Sequence, residues 1–483
     1  MAAALAVADA AAADSRAQAD RAAAVCSRRG AWFLAWLAFL PIAVMRAGTI
    51  VDADTFWQVR TGLLTIAHKA IPTTDPFSWT MHGQPWTQNS WGFDVLIAGA
   101  YRLAGLPGVA WTCVGLVMVT VGLALFLCRE LGASAFLAGT LLLLASPLLI
   151  AWLPARPQLV DYAAVLILTI LLRRIAAGRK RVRAVMAVGI ASVVWANLHA
   201  GALLGAAMIF ACAILLAAKR ELRASGWCLA AGVAALAGSF INPYGVGILR
   251  QAAQVQSASA GLVVEWRHLD PSSPAQCAML ALGLGALILA LRRRDVIFVG
   301  VLGVASAAGI FAIRMLPILV LVALPVLAAS ALRTRLAGIL HRRRIVLYLG
   351  LAVAVVLAVL DLSHIGRPEP ALYSMNTVRD IPSHCRLFNS YDVGGFVILE
   401  RPDVQVSLDS RNDLYGRERV LADEKALAGR GDVTRELAGA GCVLVPPATG
   451  LANWLRSNPG WKLTASDSAG ALFVRVPYFT TSK

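Results

Sequence analysis

Apolar runs recur from residue 31 to residue 362, and no other feature limits so strongly what this chain can fold into. They fall at 31 to 46, 108 to 127, 134 to 153, 158 to 172, 184 to 198, 201 to 218, 226 to 242, 276 to 291, 295 to 312, 315 to 332 and 344 to 362, which predicts about eleven transmembrane helices. Only 15% of the 483 residues are charged, against about 25% in a soluble domain. Ordinary soluble composition returns from about residue 366. The expected fold is therefore mainly α: a polytopic helical membrane bundle followed by a small C-terminal α/β domain. Residues 1 to 30 read as an Ala-rich cytoplasmic tail, 31 to 365 as the membrane domain with a large first external loop at 47 to 107, and 366 to 483 as the extracytoplasmic domain.

The formal charge of +17 does not indicate a nucleic-acid partner, because the arginines sit in short clusters between apolar runs, where they orient a membrane protein. Arg28 and Arg29 put the N-terminus in the cytoplasm. With eleven spans, Arg129, the six charges from Arg173 to Arg183, Lys219 to Arg223, Arg292 to Arg294 and Arg333 to Arg344 all fall on that same side. The count requires "WGFDVLIAGAYRLAG", residues 91 to 105, to be an interfacial helix rather than a span. The N-terminal 30 residues lack the pattern of a cleaved signal peptide and read as a tail before an uncleaved helix. Eight cysteines show no CxxC pair and no Cys/His cluster, so a zinc site has almost no support. Cys385 and Cys442, the two in the C-terminal region, form a candidate disulfide if that region lies in an oxidising compartment.

With this orientation the polar residues converge on the outer side. The first loop opens with "VDADTFWQVRTG", holding Asp52, Asp54, Trp57 and Arg60, and continues to Asp75. Outer turns add Arg156, Gln158 and Asp161, then His199, Glu265 and Arg314. Ionisable groups at a membrane mouth are functional candidates because burying them is costly. A carboxylate at this mouth together with arginines from other helices suits a base that activates an acceptor while guanidiniums hold a phosphate leaving group. Each candidate also has a plainer role. Asp52 or Asp54 can cap the helix that follows, Arg60 and Arg156 can anchor to headgroups, and Trp57, Trp79, Trp86 and Trp91 can form an aromatic belt instead of stacking on a sugar. His199 can be a hydrogen-bonded structural residue.

In the C-terminal region "CRLFNSY", "GGFVILE", "VQVSLDS", "CVLVPP", "WKLTASD" and "ALFVRV" read as strands, and "ERVLADEKALAG", "DVTRELAGAG" and "LANWLRSN" as helices. Gly394 and Gly395 suggest close backbone packing and lack the spacing of a nucleotide loop. "DSRNDLYG" is a polar loop that serves either acceptor recognition or a structural Asp409 to Arg411 pair.

The stretch from Asp54 to Arg60, "DTFWQVR", resembles the Asp, aromatic, Arg motif of the oligosaccharyltransferase catalytic subunit, and the whole layout resembles the GT-C superfamily of polytopic glycosyltransferases. The order of "DADTFW", "IPTTDPFSWT", "PWTQNSW", "NPYG", "EW" and "DSRNDLYG" is similar to that of bacterial membrane proteins assigned as glycosyltransferases. The resemblance implies an inverting enzyme of the bacterial inner membrane that moves a sugar from a polyprenyl-phosphate donor to a glycan, lipid or protein acceptor on the outer face. It implies Asp54 or Asp52 as the catalytic base and Trp57, Arg60, Asp75, Arg156, Gln158, His199, Glu265 and Arg314 as substrate-binding residues. A divalent cation stays open, with Asp52, Asp54 and Asp161 as oxygen ligands if they converge. The WWD-type acceptor signature of oligosaccharyltransferases is absent, which points away from N-linked transfer to protein. The alternatives are a lipid-linked-sugar flippase, for which no internal repeat is visible, and a non-catalytic envelope assembly protein.

Overall fold

The computed structural model describes residues 29–259, 262–331, 335–342 and 344–476; residues 1 to 28 of the expected cytoplasmic tail lie outside them. Each of the eleven predicted spans is helical. Length and apolarity by themselves, however, single out six helices able to cross a membrane among the described residues: Arg29–Ala47, Trp91–Glu130, Ala135–Trp152, Arg181–Leu198, Pro274–Arg292 and Ile313–Ala331. Ala202–Ala218, Val296–Phe311 and Tyr348–His364 are apolar but shorter. Gln158–Ala176 falls short of this standard because it carries Asp161 in its first turn and Arg173 and Arg174 in its last.

Leu316–Ala331 is buried on nearly every side and runs through the middle of the bundle, the position expected of a helix that is apolar all round. The segment expected at the interface forms its own helical piece. Helical geometry begins at Trp91 and breaks at Ala104 and Gly105, where Gly105 takes φ +61°, before Pro107 starts the long apolar helix. Asp94 of this piece points inward, where Gln88 and the Ser90 hydroxyl donate to its carboxylate.

The C-terminal region forms a five-stranded mixed sheet of β1 (Arg386–Asn389), β2 (Gln405–Val406), β3 (Cys442–Val445), β4 (Trp461–Ser466) and β5 (Ala471–Arg475), in the order β2-β1-β3-β5-β4. β1 pairs in parallel with β2 and β3, and β5 runs antiparallel to β3 and β4. Cys385 and Cys442 are joined by a disulfide with Cα atoms 6.3 Å apart. One expected strand is a helix. "GGFVILE" lies within Tyr391–Glu400, and every side chain from Val393 to Leu399 is buried. A short apolar run buried on all sides carries no period that separates strand from helix. The two glycines do serve close packing: a Cβ on Gly394 would strike the Leu408 carbonyl, and one on Gly395 would strike the Ala53 carbonyl.

That contact brings the tail against Ala53–His68, the helix of the first loop. Phe56 packs edge-on to Phe396 and Tyr373. The first loop also extends the sheet beside β2. Trp79 N–H donates to the Val406 carbonyl at 3.0 Å, Thr80 Oγ1 to the Ser407 carbonyl at 2.6 Å, and Trp79 Nε1 to the Leu387 carbonyl at 3.1 Å.

Candidate active site

A cavity of about 830 Å³ lies where the first loop, several helix ends and the tail meet. That is the size range of a small-molecule site, about 300–1,000 Å³. Its wall contains Asp52, Asp54, Trp57, Arg156, Gln158, His199, Glu265 and Arg314, eight of the residues expected from the sequence. Two others lie outside it. Arg60 sits near Tyr101, and Asp75 is fully buried with its carboxylate bonded to Arg411, to the Ser78 hydroxyl and to the amides of Phe77 and Ser78. Asp75 is therefore a partner of the tail rather than a group open to substrate.

The two aspartates of "DAD" differ in role. Asp52 is the N-cap of Ala53–His68, its Oδ1 accepting the Asp54 amide at 2.9 Å, and its other oxygen holds Arg156. Helical rise turns Asp54 toward the cavity, half-buried. Its Oδ1 accepts from Trp57 Nε1 at 3.1 Å and from the Ser410 hydroxyl. Its Oδ2 accepts no hydrogen bond from any described residue. Burial and then the neighbouring Asp52 charge push the Asp54 carboxyl up to about 7, while Arg156 and the two hydrogen bonds pull the other way. A carboxyl poised there has the strength of a general base near neutrality.

The arginines differ too. Arg156, expected to hold a phosphate, gives Nε to Asp52 and Nη1 to Glu265, so two carboxylates already balance its charge. Burial disfavours its charged form, but Asp52, Glu265 and Asp54 outweigh this and hold its pKa above the ordinary value. Arg314 makes no hydrogen bond or ion pair with a described residue. Its guanidinium lies 4.3 Å from the centre of the Trp266 ring. Arg46, which sequence reasoning passed over as part of a membrane helix, also reaches the wall and, among the described residues, donates only from Nε, to the Ile150 carbonyl at 3.1 Å.

His199 Nδ1 meets the Asp161 carboxylate at 2.8 Å, and Trp195 Nε1 donates to the same carboxylate at 2.6 Å. The Gln158 carbonyl oxygen is buried in the wall with no partner among the described residues. Asp52, Asp54 and Asp161 do not converge, and the described residues contain no group of three His, Cys, Asp or Glu able to hold a metal ion. Asp52 is committed to Arg156, and Asp161 to His199 and Trp195.

The tail adds to the wall Tyr373, Tyr391, Asp392, Ser410, Asn412 and Asp413, among others. None stood out as a site residue in the sequence. Their one signal was "DSRNDLYG", where the Asp409 to Arg411 pair is present as a structural pair. Arg411 is bonded by Nε and Nη2 to Asp409 at 2.8 and 2.6 Å, and by Nη2 to Asp75 at 2.8 Å. It lies among the rings of Trp86, Phe77, Tyr415 and Trp57.

This arrangement is the fold of archaeal oligosaccharyltransferases. The chain superposes on the Archaeoglobus fulgidus oligosaccharyltransferase in its apo form with a TM-score of 0.55 at 11% identity, covering 86% of this chain and 69% of that one. It also superposes on the archaeal oligosaccharyltransferase AglB from Archaeoglobus fulgidus, in complex with an inhibitory peptide and a dolichol-phosphate, with a TM-score of 0.56 at 12% identity, covering 94% of this chain and 74% of that one. No family model and no curated protein matches the sequence.

Proposed function

We propose that this protein is a glycosyltransferase of the bacterial inner membrane that moves a sugar from a polyprenyl-phosphate carrier to an acceptor hydroxyl on the outer face. The observation that carries this reading is Asp54: it lines the cavity with one carboxylate oxygen tied down and the other without a donor among the described residues, and the same cavity contains an arginine without an anionic partner among them. In the reaction the acceptor oxygen attacks the sugar's anomeric carbon as its proton passes to Asp54 Oδ2. The bond from that carbon to the phosphate oxygen breaks, and its electron pair leaves with the lipid phosphate. Attack opposite the leaving group inverts the anomeric centre.

Arg314 is the group that meets the phosphate, and Arg46 lines the same cavity. Arg156 organises Asp52 and Glu265 and in doing so sets the field at Asp54. A polyprenyl-phosphate sugar is a phosphodiester with one negative charge. A cavity in which Asp52 and Glu265 already neutralise Arg156 suits it better than a more highly charged diphosphate. The Cys385–Cys442 disulfide supports an extracytoplasmic tail, as do the eleven crossings that the basic clusters suggest. The acceptor is a glycan, lipid or protein hydroxyl.

The test is transfer of labelled sugar from a panel of polyprenyl-phosphate sugars by purified protein in lipid. Asp54→Asn is expected to lower kcat by about 10²–10⁴ while donor binding persists. Full transfer by Asp54→Asn would overturn the assignment. Donor binding by the native chain with no transfer would favour a flippase.

A further inference from the structure

The tail loop that carries Asp409 and Arg411 holds one side chain that this reaction leaves unused. Ser410 Oγ donates to Asp54 Oδ1 and accepts from Trp57 Nε1 at 3.0 Å, while the same indole N–H reaches Asp54 Oδ1 at 3.1 Å. The three side chains close a hydrogen-bonded ring between the first-loop helix and the tail. Ser410 is held firmly in that ring. Its neighbours Asp409 and Arg411 are buried and bonded to each other, Arg411 is bonded also to Asp75, and the Ser410 carbonyl accepts from the Tyr391 hydroxyl at 3.2 Å.

The last torsion of an aspartate is broad and nearly two-fold, so an unrestrained Asp54 would offer either oxygen to the cavity in shifting orientations. Both donors fall on Oδ1, which leaves Oδ2 as the oxygen without a donor among the described residues. We propose that Ser410 is a positioning residue that fixes the Asp54 carboxylate for proton transfer, so that the C-terminal domain completes the active site and transfer depends on its docking. This rests on the reading of Asp54 as the base. Trp57 alone retains part of the restraint, so the effect of losing Ser410 is moderate, about tenfold, below the about 10²-fold cost of a catalytic group misplaced by 1 Å.

The experiment measures kcat and both KM values for the full chain in lipid, with native protein, Ser410→Ala, Ser410→Thr and Asp54→Asn. Ser410→Ala is expected to lower kcat about tenfold, with both KM values and the unfolding temperature unchanged. Ser410→Thr, which keeps the hydroxyl, is expected to retain native kcat. Native kcat in Ser410→Ala overturns the proposal, as does equal slowing in the alanine and threonine variants. A raised acceptor KM at unchanged kcat makes Ser410 an acceptor contact instead. Native turnover in Asp54→Asn removes the underlying reading, whereas an inactive Asp54→Asn beside a fully active Ser410→Ala removes the positioning role alone.

Discussion

Two arginines of the same cavity wall lie over aromatic rings, and their surroundings separate structure from function. In the latch between first loop and tail, Arg411 is bonded to Asp409 and Asp75, is 2% exposed, and has Trp86 and Phe77 at 4.6 and 5.1 Å. At the mouth of Ile313–Ala331, Arg314 has Trp266 at 4.3 Å and no carboxylate bonded to it. A guanidinium enclosed with its counter-ions fixes a geometry, since burying a charge is tolerable only when it is paired. A guanidinium that keeps its hydrogen-bonding edge free in a cavity is available to an anion. Arg156 falls between the two: it lines the cavity, yet Asp52 and Glu265 take up its charge.

The largest consequence of this contrast is in stability. Arg411→Ala leaves Asp75 and Asp409 buried without a cation, a change that costs about 3–5 kcal/mol. Thermal unfolding should therefore fall by many degrees, and Arg411→Lys should not restore it, because an ammonium lacks the fork that spans both carboxylates. An unfolding temperature for Arg411→Ala close to the native value would mean that the latch does not hold the tail. Arg314→Ala should do the reverse, leaving unfolding unchanged while slowing transfer about 10²–10³-fold, the usual loss on deleting one group that stabilises developing charge. Unfolding and transfer measured on both variants either separate the two arginines or erase the distinction.

The sequence made the apolar helices legible because a bilayer demands long runs of one chemistry, and those runs are visible without any knowledge of what they touch. It also offered Asp52 or Asp54 as a helix cap, Asp54 and Arg314 among the candidate site residues, and Cys385 with Cys442 as a candidate disulfide. What it could not show depends on contacts between distant segments. Asp75 looked like a polar loop residue open to substrate, and only the docking of the tail makes it the counter-ion of Arg411. Arg156 looked free until the chain brought Asp52 and Glu265 to it. Ser410 is one serine among many, with no local signal that it reaches Asp54. "GGFVILE" read as a strand because a short apolar run without polar punctuation fits either element, and its helix is decided by packing against Ala53–His68.

The smallest expected effect distinguishes the two aspartates themselves. Burial and the Asp52 charge push Asp54 up to about 7 from an ordinary value of 3.8. Arg156, Trp57 and Ser410 face it from the other side, with Asp94, Tyr373 and Tyr391 also close enough to interact. The sign follows from proton binding. A carboxyl raised in the folded state favours folding below its unfolded pKa, and that contribution is lost as pH rises through about 7. The base form accumulates over the same interval, so kcat should climb through about pH 7 while this contribution to stability declines. Asp52→Asn keeps a side-chain oxygen that can cap the Asp54 amide but removes the negative charge that raises the Asp54 pKa. The rising limb of kcat against pH should then move to lower pH, with transfer retained on the plateau. A limb that does not move would detach it from Asp54, and a plateau lost altogether would make Asp52 the base and Asp54 its support.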